Sequence, residues 1–208
     1  GMEDRVIYDI CDAASGRVPP ERAILQDDRC ERHWFISAPY SYIKRLDSRT
    51  FSAFLDRADR IFNFDYIIMD SPCGNDFMLE VAASVADSAF IITMPHATSL
   101  RSAGKTGSML TRMKVGNQRL IINHFSTDGS KRGIKNDYRT IIKLIDQTRI
   151  RLIGVVPESK RLVSLQDEGR LADEAGSSNA AVAFENIARR VMGQNVRLMR
   201  NFHSKYNV

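Results

Sequence analysis

No stretch of this sequence approaches the roughly 18 consecutive apolar residues of a membrane-spanning helix, so no transmembrane segment is expected. The opening residues are polar and charged, unlike a secretory signal. Cysteine is scarce: Cys11, Cys30 and Cys73 stand far apart and match no metal or redox spacing. Their odd number, without a disulfide framework, predicts a reducing cytoplasmic setting. The four histidines, His33, His96, His124 and His203, show no ligand spacing and no nucleophile partner, which points to structural or surface roles. Internal repeats, low-complexity tracts and a convincing linker are all missing. Residues 1–194 therefore read as a single domain and 195–208 as a tail.

Negative charge is missing from the end of the chain. No acidic residue follows Glu185, whereas Arg189, Arg190, Arg197, Arg200 and Lys205 do. Those five account for the whole formal charge of +5, because the remaining basic residues equal the 25 acidic ones. A neutral body with a basic tail argues against nucleic acid as the general partner, despite a pI near 9.2. Within the tail, Val196, Met199, Phe202 and Tyr206 recur at helical spacing, with Arg197, Arg200 and Lys205 off the stripe. This pattern predicts a weak amphipathic helix able to touch an anionic membrane surface, or a solvated basic tail.

The remainder has ordinary globular composition, 43% apolar and 26% charged. Short apolar runs at 34–38, 66–69, 89–94, 120–122 and 152–156 are rich in Ile, Val or aromatics, as buried parallel strands are. Helical stripes lie between them: Phe51, Phe54, Leu55, Ala58 and Ile61; then Ile141, Leu144 and Ile145; then Ala180, Phe184, Ile187 and Val191, with Gly193 as a stop. Alternating strands and helices predict an α/β fold with a mostly parallel sheet flanked by helices. Residues 126–136 form the longest polar loop.

Four segments carry candidate chemistry. In 64–74, an apolar run ends in Asp70, and Ser71, Pro72, Cys73 and Gly74 follow. Ligands in open α/β sheets sit beyond the carboxyl ends of strands, so Asp70 is placed either to hold a Mg²⁺ water shell or to cap a turn. Gly74 leaves its N–H open to a phosphate oxygen. Gly104, Lys105 and Thr106 imitate the end of a phosphate loop, but Ser99 stands where that loop needs glycine. Leu100, Ala103, Gly107 and Leu110 have helical spacing, which puts Lys105 roughly 140° from Leu100, on the wet side. Asn123 closes a strand, as a base-reading amide or as a turn former. Val155, Val156, Pro157 and Glu158 form another strand running into a proline loop.

In this order the segments resemble the MinD/ParA family of deviant P-loop ATPases, on the MinD side through Asp-Ser-Pro-x-Gly and Val-Pro-Glu. Residues 3–12 are similar to the helix after the family's second strand, 64–74 to its Walker B strand and switch loop, and 165–193 to its final helices. The resemblance implies that Asp70 holds Mg²⁺ through water and that Pro72 and Gly74 lie at the phosphates, where Gly74 senses the terminal one. It implies that Asn123, Pro157 and Glu158 hold adenine. It also implies ATP and Mg²⁺ as cofactors, a homodimer closed around the nucleotide, slow ATP hydrolysis, cell-division regulators as partners, and septum placement on the inner face of the cell membrane. A membrane-targeting helix at the chain's end is a family feature too.

One departure stands out. By the same alignment, the family's first strand, its two-lysine phosphate loop and the second strand precede residue 3, so the fold is expected to lack its first strands. Without that loop a triphosphate loses most of its contacts. Two other readings compete. One is a non-enzymatic interaction protein on the same fold. The other is a DNA-partitioning relative using Lys131, Arg132 and Lys135, although Asp128 and Asp137 dilute that cluster.

Overall fold

The computed structural model describes residues 3–39, 46–71, 77–126, 142, 145–170 and 172–197. Their contacts fall into two compact units, Gly1–Ala86 and Asp87–Val208.

The described part of the first unit opens with a 3-10 turn, Glu3–Arg5, followed by a short helix α1, Ile10–Ala14. Asp9 and Asp12 form a capping box there: the Asp9 carboxylate accepts from the N–H of Cys11 and Asp12, and Asp12 accepts from the N–H of Asp9. Asp12 is itself buried and is paired with Arg17. A single turn, α2 (Pro20–Ala23), has its proline at the first position, where no N–H is needed. Strands β1 (Leu25–Asp27) and β2 (Cys30–Phe35) then form an antiparallel hairpin. Asp27, 3% exposed, organises the hairpin turn: it accepts from the N–H and side chain of Arg29 and lies 3.0 Å from His33 Nδ1. These partners hold the Asp27 carboxyl well below the usual carboxylate range, with the Arg29 side chain the largest cause.

Helix α3, Ser48–Phe62, is capped by Asp47, which accepts from the N–H of Arg49 and Thr50. It ends at Asn63 in the left-handed conformation, φ 51°. Its predicted stripe is largely the buried one: Phe51, Phe54 and Ala58 join a core with Cys11, Ala13, Ile24 and Val81, Leu55 packs against that core, and Ile61 stays exposed. Helix α4, Phe77–Val85, closes the unit. Of the run 34–38, Trp34 and Phe35 belong to an antiparallel hairpin, not to a parallel sheet, and 36–38 are outside any strand. The run 66–69 is not a buried strand either. It has no strand partner among the described residues, and Tyr66, Ile67 and Ile68 are exposed. Apolar character makes a segment suitable for a sheet, but only a hydrogen-bonded neighbour makes it a strand.

In the second unit, β3 (Ser88–Thr93), β4 (Asn117–Phe125) and β5 (Leu152–Pro157) make a parallel sheet in the order β3-β4-β5. Ile91 faces Leu120, and Thr93 and Val155 both face Ile122; all five are buried, forming one side of the sheet. Helix α5, Ala97–Arg112, lies against β3 and buries Leu100, Ala103, Gly107 and Leu110, the predicted stripe. A short helix α6, Lys160–Asp167, follows β5 and is capped by Ser159. Helix α7, Asn179–Val191, buries Ala180 and Ile187 and stops before Gly193, φ 80°. Ile187 sits directly over Gly154 of β5, where any Cβ would fall inside contact distance of its Cγ1. Ile121 and Val156 complete that cluster. Arg190 fastens the end of α7 to β5, donating from Nη1 to the Ile153 carbonyl at 2.8 Å and from Nε to the Val196 carbonyl at 3.0 Å. Burial pulls its pKa down. The loop at 126–136 lies almost wholly outside the described residues, as do Ile141 and Leu144.

Candidate nucleotide site

Parallel strands end on one edge of their sheet, so residues distant in sequence meet there. Here β4 and β5 finish together: Phe125 pairs with Pro157, and the Glu158 N–H donates to the Phe125 carbonyl at 3.1 Å. Between Ile122, which pairs with Val155, and Phe125, the register shifts. Two residues of β4, Asn123 and His124, thus oppose one residue of β5, which is a β-bulge of the kind that re-aims side chains near sites. His124 takes up the extra length at φ 52°, a conformation costing roughly 1–2 kcal/mol outside glycine. Asn123 Oδ1 accepts from the His124 N–H at 2.9 Å and steadies the turn. Asn123 is half-buried, Pro157 is buried and Glu158 is exposed. The turn-forming role of Asn123 is therefore realised, while its amide NH₂ is still a donor available to a ligand.

Asn123, Pro157 and Glu158 are the predicted nucleotide residues that the second unit carries at this corner. Asp70 belongs to the first unit and is exposed, at the end of the unpaired segment 64–70. Pro72, Cys73 and Gly74 lie outside the described residues. Gly104, Lys105 and Thr106 are inside α5, with Lys105 on its exposed face, so this Gly-Lys-Thr is not a phosphate loop. In the tail, Val196 and Arg197 are irregular, not helical, and their carbonyls accept from Arg190. Met199, Arg200, Phe202, Lys205 and Tyr206 lie outside the described residues, as do Asp128, Lys131, Arg132, Lys135 and Asp137. No described helix is long and apolar enough to cross a membrane. Sequence reasoning missed the bulge; its one signal was Asn-His before Phe125, since both tolerate the left-handed region.

This donor set fits one end of a nucleotide. A half-buried amide beside a buried proline, at the carboxyl edge, suits a flat base. The triphosphate end is not matched: among the described residues no strand leads into a glycine-rich turn carrying a lysine, and no group of three His, Cys, Asp or Glu is placed to hold a metal ion.

The ParA family, described as NUBPL iron-transfer P-loop NTPase, matches residues 47–192. The septum site-determining protein MinD of Bacillus subtilis is 26% identical over 95% of this chain and 73% of its own length. The Helicobacter pylori protein of the same name is 28% identical, over 94% and 74%. The MinC:MinD cell division protein complex of Aquifex aeolicus contains a chain that aligns at a TM-score of 0.85 and 30% identity, covering 96% of this chain and 79% of that one. MinD of Pyrococcus horikoshii, solved with Mg-ADP, aligns at 0.72 and 21% identity over 89% and 74%, a likeness of fold. Most of this chain is thus matched from two directions, and it belongs to the MinD/ParA family of P-loop NTPases.

Proposed function

We propose that this protein is a MinD-type member of the family that takes part in septum placement and whose 208 residues, taken alone, do not bind or hydrolyse ATP. The observation that carries the reading is the alignment at a TM-score of 0.85 and 30% identity with the Aquifex aeolicus MinC:MinD complex. The inactivity rests on the described residues, which supply a base-binding corner and no cradle for phosphates.

In this reading Asn123, Pro157 and Glu158 contact adenine. Asp70 holds Mg²⁺ through water and Pro72 and Gly74 approach the phosphates whenever a phosphate cradle is supplied. ATP then closes two copies into a homodimer. Residues 1–194 act as one functional domain, and the tail 195–208 contacts anionic lipid on the cytoplasmic side through Val196, Met199, Phe202 and Tyr206 with Arg197, Arg200 and Lys205. The partner class is a MinC-like division regulator. Deleting the gene is the test of the cellular role. Displaced division septa are expected, and septa in unchanged positions would overturn it. For the tail, vesicles containing anionic lipid should sediment the full chain at low salt and leave a chain ending at residue 194 in the supernatant; equal behaviour removes the tail from the reading.

A further inference from the structure

Charge is divided unevenly between the two units. Residues 1–86 hold ten Lys and Arg against fifteen Asp and Glu, and residues 87–208 hold twenty against ten. The tail supplies only part of that excess, for between Asp87 and Asp128 the sequence has five basic residues and no acidic one. In the first unit Arg5, Arg17, Arg29 and Arg32 each have a carboxylate partner. In the second unit Arg170 does too, but the cations that follow have none among the described residues.

These cations gather at the amino edge of the β3-β4-β5 sheet, at the other end of the strands from Asn123. Arg112 ends α5, and Lys114 follows it, three residues before β4 starts. Arg149 and Arg151 lead into β5, where the Arg151 carbonyl accepts from the Leu120 N–H at 2.8 Å. A Cβ on Gly107 of α5 would touch Ile150, so α5 lies against this same lead-in segment. On the other face of the sheet, Ala180 clusters with Val156, Ile187 sits over Gly154 and Arg190 reaches the Ile153 carbonyl. Helix α7 therefore runs antiparallel to β5 and brings Arg189 to the same edge. Arg190 also donates to the carbonyls of Val196 and Arg197, which ties the root of the tail there. Arg112, Lys114, Arg149, Arg151, Arg189 and Arg197 are all exposed. Against them the described part of this edge holds Asp87, just before β3, and Asp146, with Glu185 a turn earlier on α7.

Lys114 and Arg149 have φ of 69° and 57°, the left-handed conformation that glycine or asparagine commonly takes after a helix. Cations near helix C-termini complement the helix dipole. That accounts for Arg112 and Arg189, but not for long side chains at left-handed positions, nor for Arg151 and Arg197. The geometry points to a broad anionic surface: we infer that the amino edge of the second unit is a second lipid-contacting face, laid against anionic headgroups when the tail is on the membrane. The inference rests on the tail reading above, because the tail's root at this edge is what sets the orientation. The cations come from loops and helix ends on both faces of the sheet, which suits a wide array of headgroups. Segments 112–119, 145–151 and 188–197 contain no aromatic residue on which a base could stack, so lipid fits this edge better than a nucleic-acid strand does.

Co-sedimentation of the full chain with vesicles of phosphatidylcholine and phosphatidylglycerol tests it. Lys114→Gly combined with Arg149→Gly removes two cations at backbone positions that glycine adopts freely, so the fold is kept. Arg151→Gln is a further edge variant, and circular dichroism checks each. Met199→Ser combined with Phe202→Ser disables the apolar stripe of the tail in the full chain. At low salt the partition coefficient onto anionic vesicles should fall at least about tenfold for the double glycine variant, because each basic residue near such a surface adds its own attraction. The difference should shrink at high salt, and vesicles of phosphatidylcholine alone should not distinguish the variant from the unsubstituted chain. Binding that is lost with the tail change and unmoved by the edge changes would overturn the inference and keep the tail. Binding that falls with the edge changes and ignores the tail change would keep the edge and remove the tail. A full chain that ignores anionic vesicles would overturn both. Edge changes that weaken binding to duplex DNA but not to vesicles would also overturn the inference.

Discussion

Among the described residues β5 and β3 border the same three-stranded sheet, and the two borders are packed differently. At β5 the backbone of Gly154 accepts Ile187 at close range and Arg190 takes up a carbonyl. At β3 an uncharged strand exposes Phe90 and Ile92. The difference teaches which border of the sheet carries its packing among the described residues. The β5 border is also where the ends of β4 and β5 bring Asn123 and Pro157 together, so that corner rests on a well-packed part of the sheet.

The largest effect should come from spoiling the packing at β5. Gly154→Ala drives a Cβ into Ile187, and overpacking of this kind costs about 1–3 kcal/mol. Urea denaturation should show that loss, and an unchanged midpoint would mean that α7 is not seated on β5. Arg190→Met comes next. It leaves the Ile153 carbonyl, in a residue 7% exposed, without its donor, at about 1–2 kcal/mol.

A smaller effect belongs to the β1–β2 hairpin, which is finished by charge. Asp27 has its pKa lowered in the folded chain, chiefly by the Arg29 side chain. A lowered folded pKa means that the stabilisation is full above the ordinary carboxylate pKa of 3.8 and is lost as pH falls through the folded value. Acid titration followed by circular dichroism should therefore show Asp27→Asn losing less stability than the unsubstituted chain as pH drops below that ordinary value. Identical acid profiles would remove Asp27 from the account.

How much of this was legible in the sequence depended on whether the cause was local. The runs at 89–94, 120–122 and 152–156 announce parallel strands because their partners all lie within the chain's own second unit. The stripe Leu100, Ala103, Gly107 and Leu110 identified a helix strongly enough to outweigh the Gly-Lys-Thr string it contains. The run 66–69 looked the same but has no neighbouring strand among the described residues, and periodicity carries no information about neighbours. The hairpin of β1 and β2 was half seen, since its apolar end at Trp34 and Phe35 was visible and its sense was not. The ends of β4 and β5 were legible near Asn123 and Pro157, whereas the bulge that joins them arises from pairing in three dimensions. The family resemblance supplied the roles that none of these patterns contain.

The central proposal is that Asn123, Pro157 and Glu158 hold the base of a nucleotide while the described residues supply no cradle for its phosphates. Calorimetric titration of Mg-ATP into the full chain tests it most directly. The account predicts no saturable heat at micromolar nucleotide, because the phosphate cradle supplies most of the contacts to a triphosphate. Saturation with micromolar affinity would contradict it and would direct attention to Lys105 as a substitute cation.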